Sequence, residues 1–90
     1  MQFDWDESKD AANLSKHGVS FNEAKTVFED TLYVIFYDPN HSVSEQRYII
    51  IGESVQKRIL IVAFTERDNV IRLISARKAT RREREDYEEG

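Results

Sequence analysis

Two stretches of four consecutive apolar, β-favouring residues, Tyr48-Ile49-Ile50-Ile51 and Ile59-Leu60-Ile61-Val62, constrain this chain more than any other feature. A strand places successive side chains on opposite faces, so an unbroken apolar run demands cover on both sides of a sheet. The two runs therefore predict central strands, over residues 47–52 and 59–65. Similar β-rich segments at 32–37 and 70–76 flank them. The joins are short: Asp38-Pro39-Asn40 is a turn signal, Glu53 to Lys57 a polar link, and Arg67-Asp68-Asn69 fits a tight hairpin. Such a series reads as an antiparallel meander.

Cover for one face is encoded in the N-terminal third. Phe3-Asp4-Trp5 predicts a short extra edge strand, and Asp6 caps a helix that runs through Lys9, Asn13 and Leu14 to Lys16. Gly18 stops it, tolerating positive φ behind the basic Lys16 and His17. Ser20 and Glu23 form a capping box, each side chain expected to accept from the other residue's N–H, and start a second helix. Ala24, Val27 and Phe28 give that helix an apolar stripe, and it ends over 30–32. Thr80 and Glu83 form another box opening a charged helix from Arg81 to about Glu88. Tyr87 is its main apolar anchor, so this helix is expected to be mobile or completed by a partner. The predicted architecture is α+β: two N-terminal helices on a four-stranded antiparallel sheet with a short extra N-terminal strand, plus a C-terminal helix, all in one domain spanning 1–90.

Ninety residues afford one core, burying somewhat more than about 60% of the surface of the unfolded chain. The absence of cysteine removes disulfides, thiolate metal sites and a catalytic thiol, so apolar packing holds the fold. Neither an apolar run long enough to span a bilayer nor a basic-then-apolar start is present, and the expected location is the cytoplasm, with no membrane contact. A net charge of -4 argues against coating nucleic acid by bulk attraction. The mean hides a local excess: residues 67–84 carry seven basic side chains (Arg67, Arg72, Arg77, Lys78, Arg81, Arg82, Arg84) against two acidic ones (Asp68, Glu83), a balance of +5. A basic patch on an acidic protein suits one or a few phosphates, or an acidic partner.

Phosphate loops, zinc signatures and nucleophile elbows are missing, and two histidines without cysteine make a poor zinc site, so no metal or other cofactor is expected. What remains is an arginine series, Arg47, Arg67, Arg72, Arg77, Arg81 and Arg82, at the ends of strands expected to be neighbours. Guanidinium groups are forked, permanent donors that match phosphate oxygens and stabilise added negative charge in a transition state. RNA cleavage needs little more, because the ribose supplies its own nucleophile and the protein adds only proton transfer. In an unbroken strand Arg72 and Arg77 face opposite ways, so both can line one cleft only across a bulge or turn, which the strand end before Thr80 allows. For any single arginine a solvated chain or surface salt bridge is as good an account; the cluster carries the argument. His17 is either a proton-transfer group or a helix-terminal cap, and His41 reads as a loop residue. Glu45, Glu66, Tyr48 and Tyr87 are weaker candidates, better explained by solvation or packing.

Phe3-Asp4-Trp5-Asp6 with Lys9 and Asn13, then Lys16-His17-Gly18-Val19-Ser20-Phe21, Glu23-Ala24, Val27-Phe28 and Asp30, make an ordered set. It continues in Glu45-x-Arg47, Ile51-Gly52, Thr65-Glu66-Arg67 and Arg72-x-Ile74-Ser75-Ala76-Arg77-Lys78-Ala79-Thr80, followed by Glu83 and Tyr87. Over nearly its whole length the chain resembles BrnT-type toxins, ribonucleases of bacterial type II toxin–antitoxin systems with a RelE-like fold. The resemblance implies RNA cleavage that inhibits translation, and neutralisation by a BrnA-type antitoxin whose ribbon-helix-helix part carries the complex to operator DNA. It favours His17, Arg47, Arg67, Arg72 and Arg77 as the catalytic set, the arginines binding phosphate or stabilising the transition state and the base left open; Ser75, Lys78, Arg81 and Arg82 beside them are expected to bind substrate. The competing class is a non-catalytic nucleic-acid-binding or protein-interaction module, which would bind RNA in a salt-sensitive way and leave it intact.

Overall fold

The computed structural model describes residues 1–38 and 45–89; the expected turn at Pro39-Asn40 and the loop residue His41 lie outside them. The strands are β1 (Gln2–Asp4), β2 (Val34–Asp38), β3 (Arg47–Glu53), β4 (Ile59–Arg67) and β5 (Val70–Lys78), and the helices α1 (Glu7–His17), α2 (Phe21–Ala24) and α3 (Arg81–Glu89). They form one sheet in the order β1-β5-β4-β3-β2. The four predicted strands make the antiparallel meander, and the extra N-terminal strand joins its far edge, paired parallel to β5. Asp68 and Asn69, both at positive φ, make the two-residue turn between β4 and β5, a conformation these residue types tolerate.

The caps explain the helix ends. Asp6 accepts from the Ser8 and Lys9 N–H groups at the start of α1, and Gly18, at φ 70°, closes it with an N–H donated to Leu14 O. At α2 the reciprocal box is only half made. Glu23 N–H donates to Ser20 Oγ, but the Glu23 carboxylate turns inward to the Arg58 guanidinium and accepts from Ser54 Oγ at 2.6 Å. The predicted long second helix is also divided: α2 gives way to a 3₁₀ turn, Lys25–Glu29. Thr26 Oγ1 donates to Glu23 O at 2.6 Å, a local bond that competes with the α-helical ladder.

Val19, Phe21, Ala24 and Val27 pack from this layer onto Ile50, Leu60, Val62, Phe64, Leu73 and Ala76 of the sheet, forming the main core. Gly52 lies where the 3₁₀ turn crosses β3; a Cβ there would sit 3.1 Å from Val27 O. On the opposite face a smaller cluster of Ile51, Ile61 and Ala79 is covered by Tyr87 of α3, together with Ile49 and Ile59. Both faces of the central strands are thus buried in part, as their unbroken apolar runs require. Because α3 covers only one end of the second face, the other end stays open.

Candidate functional site: an arginine row on the open face of the sheet

Register sorts the strand side chains between the two faces, and one irregularity decides the site. Ala63 pairs with Ser75, but the next residue, Phe64, pairs with Leu73, so Ile74 is an extra residue in β5. This bulge shifts the alternation. Arg72 and Arg77 now oppose Thr65 and Ile61, which are four residues apart on β4 and so share a face. The bulge lies inside the strand, not at its end beside Thr80, and it resolves the opposed directions that an unbroken strand would impose.

One transverse row crosses all five strands: Asp38 opposite Arg47, Arg47 opposite Thr65, Thr65 opposite Arg72, and Arg72 opposite Asp4. Arg67 stands on the same face one step further along β4 and pairs with Glu45. Arg72 Nη1 donates to Asp4 Oδ2 at 2.7 Å. The Arg67 guanidinium holds the Glu45 carboxyl below the usual carboxylate range, with Arg72 and Arg47 adding to the pull, so three guanidiniums converge on this corner. At the centre lies Thr65, only 3% exposed, whose Oγ1 has no hydrogen-bonding partner in the protein. A buried hydroxyl without a partner costs about 1–3 kcal/mol, and such atoms call for an explanation. Sequence reasoning assigned Thr65 no role; only the cross-strand register shows that it separates two arginines.

The other predicted residues fall elsewhere. Arg77 is on the same face, but its β4 partner lies four residues from Thr65, about 13 Å along the strand. It makes a two-pronged ion pair with Glu83 of α3, at 2.8 and 2.9 Å. Ser75 lies between Arg72 and Arg77 on this face by register. Lys78, opposite Leu60, belongs to the other face. Arg81 and Arg82 are exposed on α3, Arg81 beside Glu85 at 3.5 Å. His17, at the end of α1, lines a groove with Ser75 at the outer edge of β5. Among the described residues no three His, Asp or Glu side chains are grouped to hold a metal ion, and no helix is long and apolar enough to cross a membrane.

Glu83 ties α3 to the sheet. Arg77 chiefly, with burial opposing and the Thr80 N–H adding, brings its carboxyl down to about 2 from an ordinary 4.5. A depressed carboxylate stabilises the fold above its unfolded-state value and loses that contribution as pH falls through the folded one. Both partners are partly exposed (43% and 29%), so solvent screening leaves about 1 kcal/mol. Glu83→Gln is therefore expected to cost about 1 kcal/mol at neutral pH. In denaturant titrations the gap from wild type should close as pH falls from 4.5 to about 2. A gap independent of pH would contradict the assignment. At its far end, α3 is held by Tyr87, whose hydroxyl donates to Asp30. Burial first, then the hydrogen bond to Asp30 and its charge, pushes that phenol up to about 12.

The model of the BrnT family, described as the ribonuclease toxin of type II toxin–antitoxin systems, matches residues 5–83. That span holds Arg47, Thr65, Arg67, Arg72 and Arg77 and ends at Glu83. The crystal structure of the Brucella abortus ribonuclease toxin BrnT superposes with a TM-score of 0.66 at 26% identity, covering 90% of this chain and 99% of that one. No curated protein sequence matches the chain. A family match over most of the length, with the same α+β fold in a solved relative, is sufficient: the chain belongs to the BrnT family of ribonuclease toxins of type II toxin–antitoxin systems.

Proposed function

We propose that this chain is the toxin of a type II toxin–antitoxin pair and cleaves RNA without a metal ion, at the row Arg47–Thr65–Arg72 flanked by Arg67. The convergence of these guanidiniums over one buried hydroxyl is the observation that carries the reading. The ribose 2′-hydroxyl gives its proton to a general base and attacks its own phosphate, the 5′-oxygen leaves as a hydroxyl after taking a proton from a general acid, and a 2′,3′-cyclic phosphate remains. Charge gathers on the non-bridging oxygens during this step. In this reading Arg47 and Arg72 donate to those oxygens while the buried Thr65 lies between their strands, and fixed donors aimed at developing charge supply a large share of such catalysis. The Asp4 and Glu45 carboxylates orient Arg72 and Arg67 yet engage only part of each guanidinium, which has five N–H donors. Arg77, about 13 Å from Thr65 along the strand, is assigned a phosphate further along the RNA.

A BrnA-type antitoxin neutralises the toxin in this proposal, and its ribbon-helix-helix part brings the complex to operator DNA. The proposed place of action is the cytoplasm. Purified protein incubated with RNA in EDTA is expected to yield fragments ending in 2′,3′-cyclic or 3′-phosphate. Loss of all cleavage on chelation would reject the metal-free mechanism. Salt-sensitive binding with intact RNA, with or without metal, would reject catalysis in favour of a binding module.

A further inference from the structure

A second cationic feature lies just off the arginine row. β1 pairs only with residues 70–72 of β5, which leaves the outer edge of β5 beyond Arg72 to α1. There Lys9, Asn13, Lys16 and His17 line a groove with Ile74 and Ser75. Positions 9, 13 and 16 fall on one helical face, so the basic chains stand in a line along α1. Asn13 is committed to structure: its Nδ2 donates to Val19 O and Ala76 O, both at 2.8 Å, and its Oδ1 accepts from Ala76 N–H. Lys16 and His17 are not so committed, while Lys9 lends part of its charge to the Asp6 carboxylate. Arg58, Arg67, Arg72, Arg77 and Arg81 each pair with a carboxylate, whereas among the described residues none pairs with Lys16 or His17. In a chain of net charge -4, a groove whose basic chains are only partly neutralised is a specific feature.

Ser75 connects this groove to the row. By register its partner Ala63 lies two residues from Thr65 on the open face, about 7 Å along β4. We propose that Lys9, Lys16 and His17 form a binding groove for the backbone phosphates of single-stranded RNA leaving the arginine row across Ser75. The proposal rests on the reading of that row as the cleavage site. The groove makes no base-edge contacts, so it adds affinity and fixes the strand's direction without selecting sequence. Its ligand is the continuing strand, and a substrate of only two nucleotides would not reach it.

The decisive comparison uses the full chain and the Lys9→Ala/Lys16→Ala variant, whose replaced side chains are exposed on α1. On an RNA of roughly 12 nucleotides the variant should show a KM raised about tenfold at unchanged kcat. Binding of the 2′-O-methyl form of that RNA should weaken alike, with the salt slope of log K reduced by about 1.4 for two phosphates. Cleavage of a dinucleotide should equal that of wild type, and Lys9→Arg/Lys16→Arg should restore the longer substrate. If the alanine variant handles the long RNA as wild type does, or loses the dinucleotide equally, the groove proposal is overturned while the row keeps its assignment. If wild type cleaves neither RNA, the reading of the row itself fails, and the groove proposal with it.

Discussion

Arg72→Ala is expected to slow RNA cleavage by on the order of 10²- to 10³-fold, with little loss of stability. The large catalytic effect follows from position: Arg72 is one of two guanidiniums flanking the buried Thr65 hydroxyl, and removing one fixed donor to a developing oxyanion costs that much elsewhere. The small thermodynamic effect follows from exposure. Its ion pair with Asp4 is open to solvent, at 35% and 53% exposed, and pairs of that kind contribute at most about 1 kcal/mol. Arg72→Lys should recover only part of the rate, since an ammonium keeps the charge but loses the planar fork. Arg84→Ala, exposed on α3, serves as the control and should cleave normally. Single-turnover cleavage with melting curves on the same samples separates the outcomes. Near-normal cleavage by Arg72→Ala would remove the row from the chemistry.

The largest loss of stability should come from Asn13→Ala, about 3 kcal/mol or more. Its carboxamide makes three bonds in a site only 7% exposed, substituting for a neighbouring strand at the Ala76 backbone and fastening the chain after α1 through Val19 O. Truncation strands three backbone groups, each costing about 1–3 kcal/mol when left without a partner. For a domain whose total stability is about 5–15 kcal/mol this is a severe loss, visible as a melting temperature lower by roughly 12 °C or more. Asn13→Asp should recover little, because it keeps the acceptor for Ala76 N–H but not the two donor contacts. A melting temperature within a degree or two of wild type would show that the clamp is replaceable.

Much of the fold was legible because local signals agreed with each other. The runs at Tyr48 and Ile59, the Asp68-Asn69 turn, Gly18 after a basic helix end, and Thr80 with Glu83 each have one good structural solution, and those solutions fit a single meander. The half-made box at Ser20 was not legible. Glu23 meets the pattern locally, but its carboxylate is claimed by Arg58, thirty-five residues away, and sequence spacing carries no trace of such a contact. The same limit governed the site. Alternation along β5 sets Arg72 against Arg77, and only the extra residue Ile74, visible in the pairing with β4, places them on one face. Thr65 was hidden for a related reason: it gains meaning from its cross-strand neighbours Arg47 and Arg72. The groove that His17 lines with Ser75 was hidden in the same way, since it joins residues far apart in sequence.

Side-chain resonances report the central assignment most directly. Titration of ¹⁵N-labelled protein with an uncleavable RNA, its 2′-hydroxyls methylated, should move the Nε–H signals of Arg47, Arg67 and Arg72 together along one binding curve. Signals from those three that stay still, while resonances on the apolar β2 edge around Ile35 and Phe36 shift instead, would show that RNA binds a different surface.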